Sequence, residues 1–217
     1  MTSAREMPEW LRALPGRVLQ LGESHFTRYP PPPKPARTAA VLILFGPHPL
    51  GGEDVVLTQR GSSLRSHAGQ VSFPGGRIDP GDDGPRGAAL REAEEEVGVI
   101  PAGVDIVGDL PPLYLSPSAN AVTPVLAWWR EPSEVTVISD IEVERVVRVP
   151  VAALVDPANR FTVTTPIGYA SPGFDVAGLF VWGFTATLLS ELLELAGLAR
   201  PWDPSVERPL PAQQWRR

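Results

Sequence analysis

The stretch Gly75–Gly98 reads GGRIDPGDDGPRGAALREAEEEVG and decides which fold is expected for this chain. A glycine-rich loop leads into a helix, predicted over Pro85–Val97, that carries Glu92, Glu95 and Glu96. At about 100° per residue these glutamates share one face of the helix, while small and aliphatic residues fill the neighbouring arc. The aliphatic arc suits a hydrophobic core, and the acidic arc suits a cation.

The three glutamates repel one another when no cation is bound. Like charges three or four positions apart destabilise a helix by roughly 0.2 to 0.5 kcal/mol per pair. Gly98 is the expected left-handed cap, so Glu95 and Glu96 also lie at the negative end of the helix dipole. A divalent cation reverses this balance, because Mg²⁺ and Mn²⁺ prefer carboxylate oxygen. A solvated acidic face is the alternative interpretation.

The loop before the helix offers further oxygen ligands. Gly75 and Gly76 allow close backbone approach, which leaves a carbonyl available as a ligand. Asp79, Asp82 and Asp83 add negative charge near the start of the helix, where its dipole tolerates acids. An ordinary turn is the alternative explanation for the two glycines.

This stretch resembles the Nudix box, G-x5-E-x7-R-E-U-x-E-E-x-G-U, in which U is a bulky aliphatic residue. Asp82 stands where the first glutamate is expected, eight residues rather than seven separate it from Arg91, and Ala93 occupies an aliphatic position. The residues that match the fixed positions are Gly76, Arg91, Glu92, Glu95, Glu96, Gly98 and Val99.

The resemblance implies an α/β fold, namely a Nudix-type α/β/α sandwich with a mixed sheet. It also implies Mg²⁺ or Mn²⁺ as the cofactor, held by Glu92, Glu95, Glu96 and the carbonyl of Gly76. Arg91 has two open roles, as a catalytic residue or as a structural partner whose guanidinium holds one of the acids bidentately.

A second pattern lies immediately upstream, where Leu57–Gly76 reads LTQRGSSLRSHAGQVSFPGG. It is similar to the signature of the coenzyme A pyrophosphatase branch of the Nudix hydrolases, L-L-T-x-R-S followed by R-x3-G-x3-F-P-G-G. Gly61 replaces the usual serine of that signature, which we expect to loosen one substrate contact. The matching residues are Arg60, Arg65, Gly69, Phe73, Pro74, Gly75 and Gly76.

The second resemblance implies that Arg60, Arg65 and Gly75 bind substrate, with strand-end salt bridges as the alternative for the arginines. Residues 140–150, DIEVERVVRVP, resemble another segment of the branch, D-E-V-x-x-V-x-x-V-P. Glu142 matches its acid and is implied as an additional metal ligand or base, with a solvated loop residue as the alternative.

Together these resemblances imply a metal-dependent pyrophosphohydrolase with Glu92, Glu95, Glu96 and Arg91 as catalytic residues. It would cleave coenzyme A or acyl-coenzyme A to 3′,5′-ADP and 4′-phosphopantetheine or its acyl form. One alternative is a Nudix hydrolase of another nucleoside diphosphate derivative, such as ADP-ribose, NADH or a dinucleotide polyphosphate. The other is a non-catalytic nucleotide-binding regulator, which has no need of three mutually repelling glutamates.

The composition agrees with a single enzyme domain of 217 residues, 43% of them hydrophobic. The absence of cysteine excludes disulfides and thiolate chemistry, and the three scattered histidines argue against a zinc site. The net charge of −6 argues against a nucleic-acid partner. No apolar run reaches the ~18 residues of a membrane span, and the first residues lack a signal-peptide core. We therefore expect a cytoplasmic protein with a nucleotide substrate and no membrane partner, and a homodimer remains open.

Three regions are predicted. Residues 1–37 form an N-terminal helical arm and proline-rich linker, residues 38–197 the Nudix hydrolase domain, and residues 198–217 an extended C-terminal arm. Helices are expected at 8–21, with an interruption at Pro15-Gly16, and at 85–97 and 183–196, with a short turn at 152–154. Strands are expected at 39–45, 54–59, 105–110, 122–129, 146–151, 161–165 and 177–181.

Overall fold

The structure is a computed structural model that describes residues 6–21, 32, 35–62, 64, 67–115 and 120–214, without the side chains of Leu115 and Gln213. Arg65 and most of the proline-rich linker therefore lie outside the described residues. Within these ranges, the helices are α1 (Glu9–Leu21), α2 (Gly84–Val97), α3 (Val151–Leu154) and α4 (Gly183–Ala196). The strands are β1 (Arg37–Pro47), β2 (Glu53–Arg60), β3 (Val71–Ser72), β4 (Gly75–Arg77), β5 (Val104–Asp109), β6 (Leu113–Leu115), β7 (Asn120–Trp129), β8 (Val143–Pro150), β9 (Arg160–Thr164), β10 (Ala170–Val176), β11 (Leu179–Val181) and β12 (Glu207–Pro209).

The chain forms two compact units. The first contains residues 1–47 and 73–135, and the second contains residues 48–72 and 136–217. The first unit therefore holds α1, α2, β1 and β4–β7, and the second holds the remaining elements. Among the described residues, no helix has the length and apolar character required to span a membrane.

The first unit is built on a mixed sheet, as predicted. β1 and β7 pair in parallel, β4 pairs antiparallel with β1, and β5 and β6 pair antiparallel with β7. Leu42, Ile43, Leu44 and Phe45 of β1 are all fully buried. Because successive side chains of a strand point to opposite faces, both faces of β1 are covered. Helix α2 packs against β1, β4 and β7, and α1 packs against β5.

Helix α1 is continuous, so the predicted interruption at Pro15-Gly16 is wrong. Proline removes one helical hydrogen bond, but Leu11, Leu14 and Val18 on either side of it are buried. The Pro15 ring itself lies against Gly108 of β5, where an added Cβ would be 3.1 Å from its Cγ. The stabilisation from burying this apolar face exceeds the cost of the hydrogen bond that Pro15 removes. The helix is part of the first unit.

Helix α2 ends as predicted. Gly98 has φ 75° and ψ 23°, which is the left-handed conformation of a helix cap. Its N–H donates to Glu94 O at 3.0 Å, and Val99 N–H donates to Ala93 O at 3.3 Å. These two bonds satisfy carbonyls that the last turn would otherwise leave without donors. Ala93 is fully buried and lies on the face that packs against the sheet.

The second unit contains two groups of strands. β2 pairs antiparallel with β3 and with β8, and a four-stranded sheet has the order β11-β10-β9-β12. The strand predicted over 177–181 begins later, at Leu179, because Ala177 and Gly178 form the turn between β10 and β11. Both residues have positive φ, 53° and 73°, as a two-residue type I′ hairpin requires. Alanine is not a typical residue for this turn, so the sequence pattern concealed it.

The C-terminal segment contributes to the second unit. β12 pairs in parallel with β9, with Glu207 opposite Thr162. Leu210 is buried against Phe161 and Val163, and Phe180 packs on the same cluster. At least this part of the segment expected as an extended arm is therefore integrated into a sheet.

Candidate active site

The glycine pair brings the backbone of β4 against the acidic face of α2, within the first unit. Gly75 N–H donates to Glu96 Oε2 at 3.1 Å. A Cβ on Gly76 would lie 2.5 Å from the carboxylate of Glu92, so only glycine permits this approach. Gly75 is also required by its φ of 151°, and a Cβ there would lie 2.3 Å from Ala40 O. The turn is therefore shaped around the glutamates.

The three glutamates differ in burial, although the sequence pattern treats them alike. Glu96 is 4% exposed, whereas the side chains of Glu92 and Glu95 are 14% and 60% exposed. The reason is the position of each residue around the helix: Glu96 lies on the same side of α2 as Ala93 and Val97, which face the sheet. Glu96 and Glu92 thus form the inner part of the acidic face, and Glu95 forms its solvent edge.

Arg91 organises the acidic groups. Its Nε donates to Asp82 Oδ1 at 2.8 Å and its Nη2 donates to Asp82 Oδ2 at 3.1 Å. The guanidinium also donates to Glu92 Oε1 at 3.1 Å, to Glu95 Oε2 at 3.0 Å and to Arg77 O at 3.1 Å. The expected bidentate hold on one acid is therefore present, and that acid is Asp82. The Arg77 carbonyl had no signal in the sequence as a partner.

Asp82 and Arg91 each stabilise the charged form of the other. The pKa of Asp82 lies below its usual value, chiefly because Arg91 hydrogen-bonds the carboxylate and secondly because the backbone N–H of Asp79 does. The pKa of Arg91 is raised, first by its hydrogen bond to Asp82 and, more weakly, by the charge of Glu92. Both groups are therefore ionised around neutral pH.

The donor set fits a hard divalent cation. Carboxylate and carbonyl oxygens are the ligands that Mg²⁺ and Mn²⁺ prefer, and Mg²⁺ needs few of them because it keeps several waters. Among the described residues, no three acidic or histidine side chains are already gathered as a metal cage. Instead Glu95 accepts a hydrogen bond from Arg91, and Glu96 accepts one from Gly75 N–H. Each of these bonds uses one carboxylate oxygen. A carboxylate has about four acceptor positions, so these bonds are compatible with ligation.

Residues 57–72 of the upstream signature lie in the second unit, whereas its last four residues belong to the first. Arg60 Nε is buried and has no acceptor among the described residues. The backbone of the following loop returns to Arg60, whose N–H donates to Gln70 O and whose carbonyl accepts from Gly69 N–H. His67 Nδ1 is 2.9 Å from Gln70 Oε1, so this histidine has a local partner that the sequence did not indicate.

Gly61 has a structural reason for replacing serine. Its N–H donates to Glu142 O at 2.9 Å, and an added Cβ would lie 2.7 Å from Ile141 O. A side chain at position 61 would therefore separate the loop from the turn that carries Glu142. The Glu142 side chain is exposed on that turn.

The chain is similar to several known proteins. The NUDIX domain family matches residues 34–164. The uncharacterized Nudix hydrolase NudL of Salmonella paratyphi B, and that of Salmonella newport, are each 35% identical in an alignment of 167 residues that covers 72% of this chain and 81% of theirs. The crystal structure of RenU, a Nudix hydrolase from M. smegmatis, aligns at 20% identity and a TM-score of 0.49, covering 77% of this chain and 89% of that one.

The acidic helix, the glycine turn and these sequence matches define a class of hydrolases. The chain belongs to the Nudix family and has its α/β fold with a mixed sheet. It is a Nudix pyrophosphohydrolase, and members of this family generally use divalent cations.

Proposed function

We propose that the chain hydrolyses the diphosphate of coenzyme A or acyl-coenzyme A, releasing 3′,5′-ADP and 4′-phosphopantetheine or its acyl form. The observation that carries the proposal is the signature over Leu57–Gly76, which runs directly into the Nudix box. The buried Arg60 Nε that has no acceptor among the described residues supports it, because a substrate phosphate would satisfy that donor.

In this proposal the acidic face of α2 holds Mg²⁺ or Mn²⁺ through Glu92, Glu95, Glu96 and the Gly76 carbonyl. When bound, the cation polarises the phosphoryl oxygens, lowers the pKa of water and neutralises charge on the leaving phosphate. Arg91 keeps the carboxylates in place through its bonds to Asp82, Glu92 and Glu95. Its role is therefore one of positioning.

Glu95 orients the attacking water. Its side chain is the most exposed of the three glutamates, and Arg91 fixes one of its oxygens. The water oxygen bonds to one phosphorus of the diphosphate and a proton passes to solvent, while the bond from that phosphorus to the anhydride oxygen breaks and this oxygen leaves with the other phosphate. Glu142 is the additional acid of the proposal, and its exposure on a turn would let it approach a bound substrate.

Arg60 and Arg65 bind the phosphates of the substrate. Gly75 serves the site indirectly, because its N–H is used by Glu96. The arginines are thus assigned to the substrate, the exposed Glu142 to an additional metal ligand or base, and both glycines to the acidic face.

The proposal is tested by product analysis. Coenzyme A, NADH and ADP-ribose are incubated with the full chain in Mg²⁺, in Mn²⁺ and in EDTA, and the products are separated by chromatography. We expect coenzyme A to be cleaved fastest, to 3′,5′-ADP and 4′-phosphopantetheine, and we expect all cleavage to stop in EDTA. A preference for ADP-ribose or NADH would move the assignment to that nucleoside diphosphate derivative. Cleavage that persists without metal would contradict the metal assignment.

A further inference from the structure

The second unit contains a pocket that the proposed catalytic residues do not occupy. Its volume is about 320 Å³, at the lower end of the usual range for ligand sites. Gln59 of β2 and Glu144 of β8 form part of its wall, with Ser62 and Gly69 from residues 61–70, here called the signature loop. Gln214, close to the C-terminal end of the described chain, completes the wall together with the adjoining Pro211.

The C-terminal segment is held firmly enough to form a wall. Thr162 N–H donates to Val206 O at 2.8 Å, and Leu210 N–H donates to Thr164 O at 2.9 Å, so the segment is bonded to β9 at both ends of β12. Further upstream, the guanidinium of Arg160 lies 4.7 Å from the ring of Trp202. The chain therefore reaches Gln214 from an anchored position.

Gln214 joins this segment to the signature loop. Its Nε2 donates to Gly69 O at 3.3 Å. Its Oε1 is buried and has no donor among the described residues. A buried amide oxygen without a donor is costly, so a ligand N–H or O–H at this position would be stabilised.

The lining indicates the chemical class of the ligand. It includes two side-chain amides, one hydroxyl and the carboxylate of Glu144, and it contains no lysine, arginine or histidine among its described members. Such a wall would repel a phosphate and would accept hydrogen bonds from neutral N–H groups. Ala68 and Pro211 add apolar surface suited to a short alkyl chain.

We propose that this pocket binds the neutral, amide-bearing part of the substrate and that Gln214 is its specificity residue. The inference rests on the proposed function, since in coenzyme A that part is the pantetheine arm. The C-terminal segment is then a component of substrate recognition, and the signature loop serves the arm as well as the phosphates.

The test compares substrates with and without the arm. Steady-state kinetics of the metal-loaded full chain are measured with coenzyme A and with ADP-ribose, for the parent, Gln214→Ala and Gln214→Glu. Gln20→Ala, the same change at an exposed position of α1, is the matched control. Binding of pantetheine alone to the metal-free chain is followed by saturation-transfer NMR, which needs no turnover. Glu144→Ala, at an exposed position, tests the pocket if both changes at position 214 prevent folding.

We expect Gln214→Ala to raise KM for coenzyme A about three- to tenfold, the usual effect of one lost hydrogen bond, with KM for ADP-ribose and both kcat values near those of the parent. Pantetheine binding should weaken by a similar factor, and Gln20→Ala should match the parent. Equal effects on both substrates, or no effect on coenzyme A, would overturn the inference while leaving the proposed function in place. A parent that binds pantetheine through Gln214 but does not cleave coenzyme A would overturn the proposed function alone. A parent that does not bind pantetheine would overturn the inference.

Discussion

Arg91 and Asp82 are joined by two nearly parallel hydrogen bonds, 2.8 Å from Nε to Oδ1 and 3.1 Å from Nη2 to Oδ2. Asp82 occupies the position where the Nudix box has its first glutamate, and its carboxylate is used to orient Arg91. The rest of the guanidinium contacts Glu92 and Glu95. The first acid of the motif therefore acts on the acidic face through the arginine.

This geometry predicts that Arg91→Lys is not a conservative change. Lysine keeps the charge but lacks the planar fork that bonds Asp82, Glu92 and Glu95 together. We expect kcat to fall at least tenfold, which is about 1.4 kcal/mol, and the Mg²⁺ concentration for half-maximal activity to rise. The control is Arg86→Lys on the same helix, whose partner is the exposed Asp109. Parent-like metal activation of Arg91→Lys would contradict the positioning role.

The acidic face predicts a separation between activity and stability. Glu92→Gln and Glu96→Gln should each abolish turnover, because each would remove a charged oxygen ligand of the proposed cation. The metal-free thermal midpoint should hold or rise, since repulsion along α2 is relieved. Metal should raise the midpoint of the parent and of Glu94→Gln, an exposed change on the same helix, but not that of Glu96→Gln. Activity within a few-fold of the parent in both ligand variants would refute the metal assignment.

Alanine substitutions at the two glycines of the turn should have different effects on stability and activity. Gly75→Ala places a side chain at a residue with φ 151° and against the backbone of Ala40. Backbone strain alone costs roughly 1 to 3 kcal/mol, so we expect the free energy of unfolding, measured in urea, to fall by more than that. Gly76→Ala meets only the flexible end of Glu92, so the fold should survive and activity should not. Gly81→Ala has no atom within 4 Å of its new Cβ and should resemble the parent. Equal stability of all three variants would contradict the described turn.

The lowered pKa of Asp82 predicts a pH dependence of stability. The folded state favours the carboxylate, so its contribution is present above the ordinary pKa of 3.8 and is lost as the pH falls through the lower folded value. Asp82→Asn should therefore reduce the free energy of unfolding at pH 7, and the difference from the parent should shrink below about pH 4. Urea titrations at both pH values, with Asp83→Asn as the exposed control, measure this. A difference that stays constant with pH would show that the charge of Asp82 is not responsible.

A double cycle can test whether Arg60 binds one particular phosphate of the substrate. It removes the Arg60 side chain, the 3′-phosphate of coenzyme A, or both. If Arg60 binds the 3′-phosphate of coenzyme A, Arg60→Ala should cost about 1.5 to 3 kcal/mol, or roughly tenfold or more in kcat/KM. Dephospho-coenzyme A lacks that phosphate, so its rate should fall much less. Arg200→Ala changes an exposed arginine and serves as the control. Equal losses on both substrates would mean that Arg60 supports the fold or the diphosphate.

The sequence predicted the elements whose signals are local. Glu92 and Glu96 are placed on one helix face by the period of the helix, and Gly98 ends that helix because glycine adopts positive φ at little cost. The long strands β1 and β7 were recognised from their apolar runs. The continuity of α1 was missed because the burial that retains Pro15 in the helix comes from residues distant in sequence.

What the sequence by itself determined is therefore the family and the acidic helix with its left-handed glycine cap. The tertiary structure alone decided that Glu96 is buried and bonded to Gly75, that Arg91 is held by Asp82, and that Gln214 lies against Gly69. The physical reason is the sequence separation of the residues that interact. Periodicity and caps depend on residues a few positions apart, whereas these three contacts span 21, 9 and 145 positions and form only when packing brings distant segments together.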